Sequence, residues 1–151
     1  MVKNMIKYIF IYTTILFMIG CENKLIDDVC QDCTLELDIP SLSQDENGYY
    51  EMYHTGDIQT FATIRAFMGS GQWHEQLGWA TDTYYLGCVW NHCDTIPVVN
   101  QSSWSNTDGI ASTVIGIMEE HVGDIITVYA AYEKYGVQYY DFIKVRINAN
   151  E

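Results

Sequence analysis

The strongest constraint on the fold is a pair of alternating segments near the end of the chain. Residues 125–132 read Ile-Ile-Thr-Val-Tyr-Ala-Ala-Tyr, and residues 138–147 read Gln-Tyr-Tyr-Asp-Phe-Ile-Lys-Val-Arg-Ile. A five-residue connection that contains Gly136 joins them. Because successive side chains of a strand point to opposite faces, this alternation predicts an antiparallel hairpin. We expect its inner face to carry Ile126, Val128, Ala130, Tyr132, Ile143, Val145 and Ile147.

Further strands are predicted from residue 34 onward. Residues 59–68 carry Ala62, Ile64, Ala66 and Met68 on one face, which predicts a half-buried strand. The other candidates are residues 34–40, 49–53 (a short edge strand), 77–86 and 111–118, separated by turn clusters at residues 44–48, 69–71 and 106–109. With only two prolines and no helical periodicity after Cys21, the pattern predicts an all-β antiparallel sandwich of about seven strands.

The first 21 residues have the organisation of an export signal. Lys3 and Lys7 precede an apolar run that ends at Gly20-Cys21, and the run is shorter than the ~20 residues that a membrane span needs. The segment Met18-Ile19-Gly20-Cys21 resembles the lipobox of exported bacterial lipoproteins. This resemblance implies cleavage of residues 1–20, a diacylglycerol thioether and an N-acyl chain (palmitate is typical) on Cys21. An ordinary signal peptide cut elsewhere and an uncleaved anchor are the alternatives.

The implied lipid defines an expected location and domain organisation. Two or more acyl chains anchor a protein stably, because each buried methylene contributes about 0.8 kcal/mol. We therefore expect a lipid-anchored protein of the cell envelope, on the outer membrane, facing either the periplasm or the exterior. Residues 21–33 are polar and acidic and would form a tether, and residues 34–148 would form one domain.

The charge of the expected mature chain excludes some partners. Removal of the leader takes away Lys3 and Lys7 and leaves 5 basic and 20 acidic residues, a formal charge of −15. Such a chain is not expected to bind nucleic acid or to be attracted electrostatically to anionic headgroups. The acidic residues are scattered, which is typical of a solvated surface, and no cofactor is expected.

The second half of the chain resembles a bacterial immunoglobulin-like domain of the group 2 type. The matching positions are Trp104-Ser105, residues 111–114, Gly116, Gly123, Ile126-Thr127 and the closing strand through Ile147. Two features depart from that family: Trp79 competes with Trp104 for the role of core tryptophan, and residues 86–97 look like an insertion. Members of the family are mostly adhesion, spacer or binding modules, so the resemblance implies a non-catalytic role.

Four cysteines remain after Cys21: Cys30, Cys33, Cys88 and Cys93. An even number in an exported chain predicts two disulfides, whereas zinc ligation and a redox pair at Cys30 and Cys33 are the alternatives. Three pairings are possible. The chain-entropy relation gives about 4 kcal/mol for a loop of ~60 residues and about 2 kcal/mol for one of ~6. On that ground we expect the first two cysteines to be cross-linked to the last two.

No catalytic motif is present in the sequence, and other candidate sites have simpler interpretations. His54, His74, His92 and His121 show no metal-ligand spacing. Asp45 with Asn47, and Asn106 with Asp108, could ligate calcium, but both pairs are typical of plain turns. The protein is therefore expected not to be an enzyme, and an envelope hydrolase is the less favoured alternative.

Aromatic residues supply the remaining functional indication. The chain has 12 tyrosines, 4 tryptophans and 5 phenylalanines, more than a small core needs. Trp73, Trp90, one of Tyr84 and Tyr85 (Tyr84 is preferred) and one of Tyr139 and Tyr140 fall near predicted loops or on outward faces. Exposed aromatic side chains suit sugars or protein surfaces. The sequence thus predicts a binding, adhesion or structural role, with a protein or glycan ligand at the cell surface. A glycan-binding accessory protein is the alternative function. Packing of the aromatic side chains between loops would explain the same residues without any ligand.

Overall fold

A computed structural model of the protein describes residue 30 and residues 32–56, 59–89 and 92–150. The leader, Cys21, Trp90 and most of the predicted tether lie outside the described residues. The described residues contain ten strands: β1 Glu36–Asp38, β2 Tyr50–His54, β3 Thr60–Phe67, β4 Gln76–Thr81, β5 Tyr84–Val89, β6 His92–Pro97, β7 Ser102–Trp104, β8 Ile110–Ile117, β9 Ile125–Lys134 and β10 Val137–Ala149. A short 3-10 helix, Glu119–His121, precedes β9.

The strands form two main sheets and a separate hairpin. One sheet has the order β1-β3-β8 and the other β2-β10-β9-β4-β7, while β5 pairs with β6. Adjacent strands are antiparallel except β2 and β10, which are parallel. The prediction of an all-β sandwich is confirmed. The described strands exceed seven because residues 77–86 are divided between β4 and β5 and because β6 and β7 are additional.

The core follows the alternation in the sequence. Ala62, Ile64 and Ala66 of β3 are buried, as is Met68 after it, while the residues between them are exposed. The seven inward positions predicted for the C-terminal hairpin are all buried. Its connection is shorter than predicted, because Lys134 pairs with Val137 across it. Tyr135 and Gly136 alone make the turn, with φ of 52° and 76°, the backbone combination of a tight two-residue hairpin.

Trp79 is the core tryptophan. It lies on β4 and is 4% exposed, whereas Trp104 on β7 is 54% exposed. In immunoglobulin sandwiches strands A, B and E share one sheet, C, F and G share the other, and strand C carries a buried tryptophan. Here β1, β3 and β8 share one sheet, and β4, β9 and β10 are neighbours in the other.

The disulfides are local, so the expected cross-linking of the two cysteine pairs is wrong. Cys30 is bonded to Cys33 and Cys88 to Cys93. Cys88 and Cys93 lie directly opposite each other across β5 and β6, with their Cα atoms 4.1 Å apart. The loop-length argument considers only the unfolded chain. In the native protein the short hairpin brings its own two cysteines within bonding distance, and this geometry decides the pairing.

Candidate functional site

Three exposed rings form a continuous row at one end of the sandwich. The rings of His74 and Trp104 are stacked, with centroids 4.7 Å apart and planes inclined by 21°. The ring of Trp73 lies 6.1 Å from that of His74. Trp73 is 65% exposed. We call Trp73, His74 and Trp104 the aromatic ladder; it is an amphipathic surface that a flat or apolar ligand could cover.

Buried polar groups hold the ladder in place from below. His74 has a positive φ of 59°, and its N–H donates to the carbonyl of Ser105 at 3.1 Å. The buried Ser105 hydroxyl accepts from the Glu75 N–H at 2.9 Å and donates to the Gln72 carbonyl. These bonds join the β3–β4 loop to the end of β7, so Trp73 and Trp104 are carried by one rigid unit.

The beginning of the domain is bound to the same loop. Gln72 is buried, and its Nε2 donates to the Sγ of Cys30 at 3.2 Å. The Thr34 N–H donates to the Met68 carbonyl at 3.2 Å. Gly69 has a φ of +100°, and a Cβ there would lie 1.7 Å from the Asp32 carbonyl oxygen. The chain therefore enters the sandwich directly beside the loop that carries Trp73.

Tyr132 ties these segments to the opposite sheet. Its hydroxyl donates to the carbonyls of Thr34 at 2.9 Å and Met68 at 3.2 Å. Its ring stacks on that of Tyr139 at 4.9 Å. Burial, and to a lesser extent the nearby Tyr139 and Glu75, raise the pKa of Tyr132 to about 12. The neutral phenol is thus the form that the fold requires.

The β9–β10 turn lies at the same end. Lys134 forms an ion pair with Glu75 of the β3–β4 loop, and its Nζ lies 5.5 Å from the ring centroid of Tyr135. Tyr135 is 61% exposed. We call this end of the sandwich, with the ladder, the β9–β10 turn and the chain entry, the aromatic end.

The structure does not bring Trp73 and Tyr84, two of the predicted ligand-binding residues, together. Trp73 precedes β4, whereas Tyr84 follows it and opens the β5–β6 hairpin. Six strand residues separate the two ends by about 20 Å. Tyr84 is 54% exposed, and Trp90 lies outside the described residues. Sequence reasoning missed Trp104 as a surface residue. The two-residue spacing of Leu77 and Trp79, both buried on β4, is the sequence signal that assigns Trp79 to the core instead.

The candidate calcium ligands serve as turn residues. Asp45 Oδ1 accepts from the N–H groups of Asn47 at 2.8 Å and Tyr49 at 2.9 Å. The bond from Tyr49 is the main cause that lowers the pKa of Asp45. Asn106 Oδ1 accepts from the N–H groups of Asp108 and Ile110 at 2.9 and 3.0 Å. Asp45 Oδ1 and Asn106 Oδ1 thus each accept two backbone hydrogen bonds that close a turn.

The other three histidines make separate contacts. His54 and His121 are buried, and the Nδ1 of His121 accepts from the Met118 N–H at 2.9 Å. His92 and Asp94 form an exposed pair on β6. Among the residues that the structure describes, no group of three or more His, Cys, Asp and Glu side chains could hold a metal ion.

Two of the open cavities among the described residues lie away from the ladder. One, of about 360 Å³, lies between the β3–β8 pair and the β5–β6 hairpin, with Phe61, Tyr85 and Ile96 in its wall. The other, of about 550 Å³, lies at the opposite end of the sandwich beside His54 and Glu119. Neither of the two brings together the pair of carboxylates that glycoside hydrolysis uses.

Comparisons with known proteins identify no relative of this chain from which a function could be inferred. No known protein family matches the sequence, and no curated protein shows significant similarity to it. Over the described ranges, no helix combines the length and the apolarity needed to cross a bilayer.

Proposed function

We propose that this protein is a lipid-anchored lipoprotein of the cell envelope with a non-catalytic binding or structural role. The aromatic ladder is the observation that carries the binding role. Three rings lie exposed in a row, and a buried network of Ser105, Gln72 and Glu75 fixes the loop that presents them. Fixing exposed aromatic side chains before a ligand arrives lowers the entropic cost of binding.

The two disulfides support the proposed location. Both pairs are within bonding distance in the folded chain, and such bonds persist in exported proteins rather than in a reducing cytosol. Together with the lipobox-like segment ending at Cys21, they favour an envelope protein attached through that cysteine. Outer-membrane attachment is part of the proposal.

We also propose that the domain is related to bacterial immunoglobulin-like modules of the group 2 type. The neighbour order of β4, β9 and β10 and the buried Trp79 support this relation. The position of Trp104 on the surface shows that the Trp-Ser pair at residues 104–105 does not supply the core tryptophan.

Mass measurement of protein extracted from membranes tests the anchor. The expected mass is that of residues 21–151 plus a diacylglyceryl group and one acyl chain. The Cys21→Ala variant serves as the control and should carry no lipid. An unmodified Cys21 thiol, or a leader still joined to the chain, would overturn the proposal.

Glycan binding is the second candidate function, because stacked, exposed rings such as His74 and Trp104 match the apolar faces of sugars. A polysaccharide pull-down with Trp73→Ala and Trp104→Ala tests it, and both variants should lose retention. Tyr53→Ala is the matched control, since Tyr53 is 48% exposed on β2 and is distant from the ladder. Equal retention of all three variants would exclude the ladder as a glycan site.

A further inference from the structure

We infer that the aromatic end of the sandwich rests against the surface of the bilayer, with Trp73, Trp104 and Tyr135 in the headgroup region. The inference rests on the proposed lipid at Cys21. It names the partner of the aromatic ladder as a lipid surface rather than a soluble ligand.

The chain enters the domain at the aromatic end. Cys30 contacts Gln72 through a 3.2 Å hydrogen bond, and Trp73 is the next residue. The tether would therefore reach the sandwich beside the ladder. The end of β10 lies at the other extreme, because β10 begins at the Tyr135-Gly136 turn and runs for 13 residues to Ala149.

The length of the tether carries the second step. Cys21 and Cys30 are nine positions apart, and nine residues span at most about 32 Å when fully extended. A strand the length of β10 measures about 40 Å. An inverted domain, with its opposite end on the bilayer, would place Cys30 farther from the lipid than the tether can reach. The tether therefore excludes the inverted orientation, whereas an orientation with the aromatic end on the bilayer keeps Cys30 within its reach.

The chemistry of this end carries the third step. Trp73, Trp104 and Tyr135 are 65%, 54% and 61% exposed, and tryptophan and tyrosine favour the interface between headgroups and acyl chains. A flexible nine-residue chain has a root-mean-square length of about 17 Å. Such a short connection gives an effective concentration in the millimolar range, so contacts too weak to recruit a free protein suffice.

Charge selects the type of lipid surface. Asp32 and Glu36 are exposed near the chain entry, and the Lys134 ammonium group at this end is already paired with Glu75. These carboxylates would be repelled by anionic headgroups. A zwitterionic surface, which aromatic side chains can enter without an electrostatic cost, is therefore the expected occupant.

Fluorescence quenching in vesicles tests the inference. The acylated mature protein (residues 21–151), carrying Trp90→Phe, is reconstituted into phosphatidylcholine vesicles with and without phosphatidylcholine brominated near the headgroup. Trp73 and Trp104 should be quenched, and a further Trp73→Phe, Trp104→Phe variant should retain only the unquenched emission of Trp79. These replacements spare the core, because both side chains are mostly exposed.

A tryptophan at the opposite end provides the matched control. Tyr53→Trp in the doubly substituted background places an exposed ring beside Asn148, near the end of β10, and should not be quenched. Flotation with the vesicles shows separately whether the protein is anchored.

Each outcome has a distinct meaning. Anchored protein whose Trp73 and Trp104 are not quenched, or whose Tyr53→Trp is quenched equally, overturns the orientation and leaves the lipoprotein proposal intact. If the anchored protein binds polysaccharide through Trp73 and its tryptophans are not quenched, the partner of the aromatic ladder is a glycan and not the bilayer. Protein that does not float and carries no lipid overturns both proposals.

Discussion

At the scale of single residues, Gly109 shows how closely two loops approach at the aromatic end. It is buried with a φ of +72°, and a Cβ there would lie 2.1 Å from the Gly69 carbonyl oxygen. Gly109→Ala should lower the free energy of unfolding by about 2–4 kcal/mol, because it adds a backbone clash to an unfavourable φ. Urea denaturation measures the loss.

Gly71→Ala is the control for that substitution. Gly71 also has a positive φ, of +79°, but nothing lies within 4 Å of its Cβ position. Its replacement should cost only about 1 kcal/mol, from the backbone conformation alone. If the two alanine variants were equally stable, the close approach of Gly109 and Gly69 would not matter to stability.

Ionisation of Tyr132 is expected to lower the stability of the fold at alkaline pH. Its pKa is about 12 in the folded chain, compared with about 10 for an unfolded tyrosine. Below pH 10 both states hold the proton and its contribution is complete. Between pH 10 and 12 only the unfolded state loses the proton, so stability falls by up to about 1.4 kcal/mol per pH unit.

Tyr132→Phe tests that dependence by difference. Near neutral pH the variant should lose about 1–2 kcal/mol, since the carbonyls of Thr34 and Met68 lose their shared donor. Above pH 10 its stability should fall less steeply than that of the wild type in urea denaturation at a series of pH values. Parallel curves would contradict the assignment of the raised pKa to Tyr132.

At the scale of elements, the β5–β6 hairpin is the most independent part of the described chain. Its strands pair only with each other, and Cys88–Cys93 closes them. Replacing both cysteines with serine should remove about 2 kcal/mol from hairpin stability. The global unfolding midpoint should hardly change, because local opening does not disturb the two main sheets.

Limited proteolysis with mass spectrometry checks this separation. Cleavage within residues 84–97 should become faster in the Cys88→Ser, Cys93→Ser variant, while the unfolding midpoint in urea stays near that of the wild type. Peptide mapping without reduction should also recover Cys88 joined to Cys93. A large fall in the midpoint without faster local cleavage would show that the hairpin is an integral part of the sandwich.

The strand predictions succeeded where the alternation of buried and exposed residues lies within a single strand. The alternation of Ile126, Val128 and Ala130 located β9 correctly, because these residues face the core within one element. The prediction failed at residues 77–86, where Asp82 interrupts the apparent strand. The carboxylate of Asp82 accepts from the Thr127 N–H on β9, a contact between residues 45 positions apart that no local pattern could indicate.

At the scale of the whole molecule, excess negative charge works against the compact state. The expected mature chain has a formal charge of −15, and the described ion pairs use Arg65, Lys134 and Arg146. Screening should weaken the remaining repulsion more than these few pairs. Raising sodium chloride from low concentration to about 0.5 M should therefore raise stability by roughly 1 kcal/mol.

Calorimetry at increasing sodium chloride concentration measures the effect as a rise in Tm of a few degrees. The Arg65→Gln variant is a useful comparison, because it removes the ion pair between Arg65 and Asp38. Both side chains are about half exposed, so this pair should contribute little to stability. A decrease in Tm with salt would show that ion pairs, rather than net repulsion, dominate the electrostatics.

By itself, the sequence determined the all-β class, the shared apolar faces of β3, β9 and β10 and the even cysteine set, because alternation and composition are properties of neighbouring residues. Only the tertiary structure decided which tryptophan is buried, which cysteines pair and which loops meet. Trp104 became a surface residue because it pairs with the exposed Gln76, whereas the position opposite the buried Leu77 belongs to Ser103. The aromatic end formed because strand direction brings the chain entry, the β3–β4 loop and the β9–β10 turn together, and strand direction depends on pairing between distant segments.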